Sequence, residues 1–174
     1  MIADFRFEGL VAFQPHFTNI LGVDTYDIKA LRLLQKNARA TWARLAQEMA
    51  LTPPAAAERV RRLEEAGVIR GYAALLDPAA VGAGLTAFIA VTLERPTHRP
   101  AFLKRMRELP EVLECHHTAG DDDFVLKARC GTTEDLERLL TEGIKSLPGV
   151  ARTRTVVVLK TEKETVELPL PRLK

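Results

Sequence analysis

The stretch TPPAAAERVRRLEEAGVIRGY, residues 52–72, predicts one amphipathic helix with clear start and stop signals. Thr52 is suited to cap the helix, and Pro53 fits the first helical position, where a missing N–H leaves nothing unpaired. Apolar residues recur at helical spacing and form a stripe made of Ala56, Val60 and Leu63. Gly67 can take positive φ and end the helix.

Two further helices precede this one. Asp24 and Thr41 are suited to cap them, and Asp27 lies near the positive end of the first. The apolar stripes consist of Ile28, Leu31 and Leu34 in the first helix, and of Trp42, Leu45, Ala46 and Met49 in the second. We expect Trp42 in the core. Only three residues, 50–52, separate the second helix from the third, and so short a link forces the sharp crossing of a helix-turn-helix.

Two arginines of the third helix lie off its apolar stripe. Arg59 and Arg62 are three residues apart, so we expect both on one outer face, reaching phosphates or guanine edges in a major groove. The alternative is a plain three-helix bundle with exposed arginines. The whole DNA-binding interpretation depends on these guanidinium groups, and it fails if they are buried in the subunit or occupied by acidic neighbours. Residues 68–75 predict a short strand pair, or wing.

Composition and charge narrow the class of protein. With 174 residues, 47% of them hydrophobic and 28% charged, the chain resembles a soluble globular protein, and no apolar run could span a membrane. Residues 24–75 hold nine Lys/Arg against six Asp/Glu, a surplus that suits a polyanion partner. The two cysteines form no CxxC pair, which excludes a disulfide framework and a four-cysteine zinc site. Without an export signal, we expect a cytoplasmic protein.

The second half of the chain predicts the order β-α-β-β-α-β. The expected strands are residues 85–93, 112–118, 124–130 and 150–160, and the expected helices are 100–109 and 132–147. A Leu-Pro-x-Val motif closes each helix and opens the next strand, at residues 109–112 and again at 147–150. Two such halves predict a ferredoxin-like sheet with helices on one face. The bare face needs a partner, so we predict a homodimer with two-fold symmetry.

The motif Gly120-Asp121-Asp122-Asp123-Phe124, called here the acidic hairpin, is a candidate ligand site. Three adjacent carboxylates repel one another unless a cation or donor neutralises them. Carboxylates for an ammonium and loop N–H groups for a carboxylate would together suit an α-amino acid. The alternative is a solvated acidic turn.

Other motifs for chemistry are missing from the sequence. His116 and His117 are adjacent on a predicted strand and point to opposite faces, so they do not form a simple metal site. Neither a nucleotide-binding glycine loop nor a nucleophile motif is found. We therefore predict no catalytic residues, no metal and no cofactor.

Together these motifs resemble the Lrp/AsnC family of transcriptional regulators, and most closely its leucine-responsive branch. The resemblance rests on residues 24–31, on Leu45-Ala46, on residues 51–72, on the acidic hairpin with the strand before it, and on residues 147–155, and it covers about residues 23–163. It implies an α+β protein with an N-terminal winged helix-turn-helix and a C-terminal αβ-sandwich effector domain. It also implies dimers that assemble into tetramers or octamers, and an effector, usually an amino acid, bound at subunit interfaces. The ligand residues that it implies are Gly120, Asp121, Asp123, Thr153, Thr155 and Val157.

Two departures from the family pattern bear on the sites. The third helix starts with Pro and Ala where relatives often carry polar groups. Recognition of a DNA sequence would then depend on arginines, on contacts with thymine methyl groups and on DNA deformability. Asp122 stands where relatives often place an aromatic residue, which leaves the identity of the effector open. The candidate DNA-contacting residues are Arg44, Pro54, Ala55, Glu58, Arg59 and Arg62.

The sequence thus predicts a cytoplasmic, sequence-specific DNA-binding regulator that responds to an amino acid. The expected parts are an arm or leader (1–22), the winged helix-turn-helix (23–75), a linker (76–84), the effector and oligomerisation domain (85–163) and a tail (164–174). One alternative is an enzyme resembling sirohaem decarboxylases, which only the two histidines support. The other is an amino-acid-binding module without DNA binding, which the Pro/Ala-rich start of the third helix would favour.

Overall fold

The computed structural model describes residues 22–171. These residues divide into two compact units: one contains residues 22–73 together with residues 165–171, and the other is Ala74–Glu164. The predicted N-terminal arm lies outside the described residues except for Gly22. Within residues 22–171, none of the helices has the length and apolar content needed to cross a membrane.

Three helices form the first unit: α1 (Thr25–Lys36), α2 (Trp42–Met49) and α3 (Pro53–Glu65). Asp24 and Asp27 make a reciprocal capping box at the start of α1, and Thr41 caps α2 by accepting the Arg44 N–H at 3.2 Å. Ala50 adopts φ 55° in the sharp turn between α2 and α3, which confirms the helix-turn-helix geometry. Thr52 occupies the N-cap position of α3 but its side chain makes no capping hydrogen bond.

The core of this unit is small and tightly packed. Its buried residues are Ala30, Leu45, Ala46, Met49, Ala56 and Val60. Trp42 is 50% exposed, so the prediction that it belongs to the core is wrong. Trp42 is the first residue of α2, and helical side chains lean toward the N-terminus, which carries this indole past the end of the core.

The predicted wing is also wrong as a strand pair, because residues 68–75 form no strand. The N–H groups of Val68 and Ile69 both donate to the Leu63 carbonyl and close the end of α3 instead of pairing with a strand. Gly67 ends the helix with φ 69°, as predicted. The Tyr72 hydroxyl donates to the Glu64 carboxylate at 2.7 Å and holds the segment beside α3.

The second unit has the predicted β-α-β-β-α-β order. Its elements are β1 (Leu85–Leu93), α4 (Arg99–Glu108), β2 (Val112–His117), β3 (Phe124–Cys130), α5 (Thr133–Arg138) and β4 (Val150–Val157). A π-helical segment, Leu139–Lys145, continues α5, and β4 ends three residues before the predicted boundary. The sheet order β2-β3-β1-β4, antiparallel throughout, confirms the ferredoxin-like arrangement.

One face of the sheet packs on the helices and the other does not. Ala87, Ile89 and Val91 of β1 are buried in a core with residues of α4, α5 and the π-helical segment. Phe88 alternates with them on the opposite face, called here the open face, where it is 42% exposed. On that face the Glu164 carboxylate pairs with Lys127 and with Arg129, the latter at 2.6 Å.

The two cysteines are free, as the sequence predicts. Cys115 pairs in register with Leu126 and not with Cys130. Burial raises the pKa of the Cys115 thiol to about 11, so this thiol is protonated at neutral pH.

Candidate nucleic-acid interface and effector site

The start of α3 is exposed but offers few hydrogen-bond donors. Pro53 and Pro54 occupy its first two positions, so two of the four N–H groups that a helix N-terminus normally presents are missing. Both prolines are exposed and Ala55 is half-buried. This end of the helix can make apolar contacts better than it can bind a phosphate.

Arg59 does not project from α3 in the predicted way. Its guanidinium group donates to Asp24 at 2.6 Å and to Asp27 at 3.0 Å, and it lies 5.0 Å from the centre of the Tyr26 ring. The Arg59 side chain is only 25% exposed. We call this group of four residues the Arg59 cluster. The expectation that Arg59 and Arg62 share a free outer face is therefore corrected, because acidic neighbours on α1 and at its cap draw Arg59 inward.

Within the Arg59 cluster, Arg59 and Asp24 each stabilise the charged form of the other. The hydrogen bond to Asp24 is the main reason that the pKa of Arg59 is raised. Burial alone would raise the pKa of the Asp24 carboxyl, but hydrogen bonds from the Asp27 N–H and from Arg59 outweigh it and the pKa is lowered. For Arg59 the condition under which the DNA-binding interpretation fails is met, so among the two arginines the interpretation depends on Arg62.

The other predicted DNA-contacting residues remain on the surface. Arg62 is exposed, and no ion pair joins it to another of the residues 22–171. Arg44 is also exposed, with Gln47 at 3.0 Å and Glu48 at 3.9 Å. Glu58 is occupied by Arg61, which bridges it to Glu65 along the outer side of α3. The predictions from the sequence do not include this bridge, although the i,i+3 and i,i+4 spacing of its residues indicates such pairs on a helix.

The acidic hairpin joins β2 to β3 and is anchored by its own carboxylates. Asp123 accepts the Leu93 N–H at 2.7 Å, while Asp121 is exposed. Gly120 has φ 157°, a backbone conformation that L side chains rarely adopt, although a Cβ there would meet nothing within 4 Å. Glycine is thus needed for backbone conformation and not for space.

The predicted ligand residues of β4 lie on the helix side of the sheet. Thr153 pairs with Val91, which in turn pairs with Phe124, so this threonine is level with the hairpin. Thr155 and Val157 follow at roughly 7 and 14 Å farther along the strand, given about 3.4 Å per residue. Within one chain, the structure does not bring all six predicted ligand residues together, because β4 runs away from the hairpin.

A second charged group, the Asp122 cluster, lies at the same end of the sheet but on the open face. The Asp122 side chain accepts hydrogen bonds from Thr92 at 3.0 Å, Arg152 at 3.2 Å and Arg154 at 2.9 Å. Asp122 is 8% exposed, whereas the side chains of Arg152 and Arg154 are 63% and 73% exposed. Asp121, Asp122 and the two arginines line a hollow of about 300 Å³.

Arg152 and Arg154 are not among the ligand residues predicted from the sequence. Burial alone would raise the pKa of the Asp122 carboxyl, but the Thr92 hydrogen bond and the charges of Arg154 and Arg152 outweigh it and the pKa is lowered. Arg152 and Arg154 alternate with Thr153 on a predicted strand. This alternation already indicates that both arginines lie on one face of the sheet, opposite to the threonines.

A larger hollow of about 610 Å³ lies at the other end of the same unit. It contains none of the predicted ligand residues, and its floor includes Leu109, Cys130 and Leu139. Among its charged residues, Arg138 is paired with Asp135 and Arg129 with Glu164. Because it contains none of the predicted ligand residues, it is a weaker candidate than the hollow beside the hairpin, which Asp121 lines.

The histidines do not form a metal site. His116 contacts the Glu114 carboxylate at 3.0 Å, and the ring of His117 lies 5.2 Å from that of Phe124. The two rings therefore have separate partners, as expected for neighbours on one strand. Among residues 22–171, no three His, Cys, Asp or Glu side chains are grouped so that they could hold a metal ion.

Comparisons with known proteins match both units. Residues 23–70 match a family model described as winged helix-turn-helix DNA-binding, and residues 86–168 match the Lrp/AsnC ligand binding domain. The chain is 36% identical over 148 residues to the HTH-type transcriptional regulator FL11 of Pyrococcus horikoshii, covering 85% of this chain and 97% of that relative. It is 39% identical over 148 residues to the leucine-responsive regulatory protein of Escherichia coli, covering 84% and 90%.

Solved structures give the same result. A transcriptional regulator from Neisseria meningitidis in complex with L-Met superimposes with a TM-score of 0.81 at 37% identity, covering 84% of this chain and 96% of that chain. The structure of Escherichia coli AsnC superimposes with a TM-score of 0.79 at 27% identity, covering 84% and 99%. These similarities extend over both units.

Proposed function

The chain belongs to the Lrp/AsnC family of transcriptional regulators, and we propose that residues 23–75 read a specific duplex while residues 85–163 bind an amino acid that changes this reading. It is a DNA-binding regulator and not an enzyme. The observation that carries the proposal is that one chain joins a helix-turn-helix, whose third helix keeps Arg62 exposed, to a ligand-binding domain of this family.

The relatives decide between the regulator and its two alternatives. The decarboxylase alternative fails because the similar proteins are transcriptional regulators. The alternative of a binding module without DNA binding is disfavoured because the helix-turn-helix itself matches its family model through residue 70. DNA binding also implies a cytoplasmic protein, which we include in the proposal.

For the DNA interface, we assign contact to the residues that remain on the surface. Arg62 reaches base edges or phosphates from α3, and Arg44 reaches phosphates from α2. Pro54 and Ala55 supply apolar contact with thymine methyl groups, because this end of the helix has few donors. Glu58 orients Arg61, and Arg59 positions α3 against α1 without touching the duplex.

For the effector, the acidic hairpin supplies the polar groups. Asp121 and Asp123 attract an ammonium, and loop N–H groups beside Gly120 donate hydrogen bonds to a carboxylate. Thr153, Thr155 and Val157 complete the site from β4. Because the last two lie far from the hairpin of their own chain, we propose that they meet the hairpin of another subunit. The relative solved with L-Met supports an amino acid as the class of effector.

Assembly follows from the open face of the sheet. Phe88 is 42% and Val156 is 58% exposed there, and apolar side chains at the middle of a sheet face favour a second sheet as partner. We propose a two-fold dimer through the part of this face around Phe88 and Val156, with the Asp122 cluster at the edge of the contact, and further assembly into a tetramer or octamer. Several dimers on one site would bend the DNA, and the added contacts would offset the bending cost.

The test is equilibrium binding of the full chain to the duplex upstream of its own gene, followed by fluorescence anisotropy. A scrambled duplex of equal length serves as control. We expect a preference of about 10³-fold or more for the native duplex, and a change of about fivefold or more on adding one amino acid. Equal binding to both duplexes would contradict sequence-specific regulation, and indifference to every amino acid would contradict the effector.

A further inference from the structure

The Asp122 cluster has an arrangement that an ordinary surface ion pair does not have. Its carboxylate is the buried member and accepts hydrogen bonds from three side chains, those of Thr92, Arg152 and Arg154. The two guanidinium groups are the exposed members. Asp122 thus holds both arginines side by side at the mouth of a hollow of about 300 Å³.

Within the part of the chain that the structure describes, most of the hydrogen-bonding capacity of these arginines is unused. A guanidinium group has five N–H donors, and among residues 22–171 each of the two makes one hydrogen bond, to Asp122. The two arginines and the two aspartates that line the hollow balance in charge, so a carboxylate would be attracted by the free N–H donors of the guanidinium groups and not by a net positive charge. Planar guanidinium groups match a carboxylate better than they match any neutral group, because they donate two parallel N–H bonds.

The position beside the acidic hairpin indicates what carries that carboxylate. Asp121 lines the same hollow with an exposed carboxylate, which suits an ammonium. The volume lies at the lower end of the range for small-molecule sites. We infer that the effector is an acidic α-amino acid, whose side-chain carboxylate is bound by Arg152 and Arg154 while the hairpin holds its α-groups. This inference rests on the proposed function and names the ligand class of its site.

The test compares L-glutamate with L-glutamine, which differ only by a carboxylate and an amide of similar shape. Both are titrated calorimetrically into the full wild-type chain, with L-methionine as a neutral third probe. We expect L-glutamate to bind about tenfold or more tightly than L-glutamine, the effect of a hydrogen bond to a charged group.

Three variants then locate that preference. Arg152→Gln and Arg154→Gln are each expected to reduce it to less than about threefold, mainly by weakening the binding of L-glutamate, whereas Arg154→Lys retains part of it because the charge remains without the planar fork. Lys160→Gln is the control, since Lys160 is 76% exposed and paired with Glu162 outside the hollow. The control is expected to keep the wild-type preference.

Several outcomes would overturn the inference. Equal binding of L-glutamate and L-glutamine, or tighter binding of L-methionine than of either, excludes an acidic effector but leaves the amino-acid regulator intact. A preference that survives both Gln variants places the carboxylate elsewhere. A change in assembly mass by light scattering, with the preference unchanged, makes the arginines subunit contacts. Failure of all three probes to bind overturns the inference of an acidic effector, while the DNA-binding assay with the other amino acids still tests the proposed regulator and its effector.

Discussion

The Arg59 cluster and the Asp122 cluster are built from the same residue types in opposite proportion. In the first, one arginine lies between two aspartates, and Asp27 is the most buried member, 5% exposed. In the second, one buried aspartate lies between two exposed arginines. The first cluster uses up its cation inside the unit, whereas the second leaves two cations facing solvent. The role of such a cluster thus depends more on which of its members is buried than on how many charges it contains.

This difference separates a structural ion pair from a binding surface. Removing one partner of a partly buried pair leaves an uncompensated charge away from water, which is costly. Removing an exposed partner costs little, because solvent replaces it. We therefore expect variants of the Arg59 cluster to affect stability and variants of the Asp122 cluster to affect binding.

The largest effect is expected for Asp27→Ala. This change removes the buried acceptor of Arg59 and half of the capping box of α1, since Asp27 also accepts the Asp24 N–H at 3.1 Å. We expect a loss of about 2–3 kcal/mol in the free energy of unfolding. Urea denaturation followed by circular dichroism measures it, with Asp121→Ala at an exposed position as the matched control. A loss no greater than that of the control would contradict a structural role for the cluster.

The next effect concerns the two arginines of α3 that the sequence treats alike. Arg62→Ala should weaken binding to the native duplex by about 1–3 kcal/mol and lower the slope of log K against log salt by about one. Arg59→Ala should leave that slope unchanged and instead lower the free energy of unfolding by about 1–2 kcal/mol. Fluorescence anisotropy at several salt concentrations and urea denaturation give the two values. Exchanged results would return Arg59 to the DNA interface.

The contrast between Arg59 and Arg62 shows which features of the structure can be predicted from the sequence and which cannot. Periodicity and caps predicted β1 and β3 at their observed ends and α3 to within a residue, because these signals are local. The partners of Arg59 lie 32 and 35 residues earlier in the chain, and those of Asp122 lie 30 and 32 residues away. Ion pairs of such separation depend on how helices cross and how strands register. A one-dimensional pattern places a residue on a face but does not give its partner.

A third test uses the pH dependence of stability. The pKa of Asp24 is lowered from its ordinary 3.8, so the unfolded chain binds this proton more readily than the folded chain does. The contribution is therefore complete above about pH 4 and is lost as the pH falls through the lowered value. Arg59→Ala removes two of the causes of the shift, and its melting temperature should fall less steeply than that of the wild type between pH 5 and about pH 3. Parallel pH profiles of wild type and variant would show that Arg59 does not stabilise the charged carboxyl.

The smallest effect is expected for Arg152→Gln in the Asp122 cluster. Its side chain is 63% exposed, and Asp122 retains the hydrogen bonds from Thr92 and Arg154. The free energy of unfolding should change by no more than about 0.5 kcal/mol, as measured by urea denaturation. A loss as large as that of Asp27→Ala would mean that the arginines serve to hold the acidic hairpin on the sheet. A negligible loss leaves their exposed N–H groups without a structural reason and strengthens the case that they face a ligand.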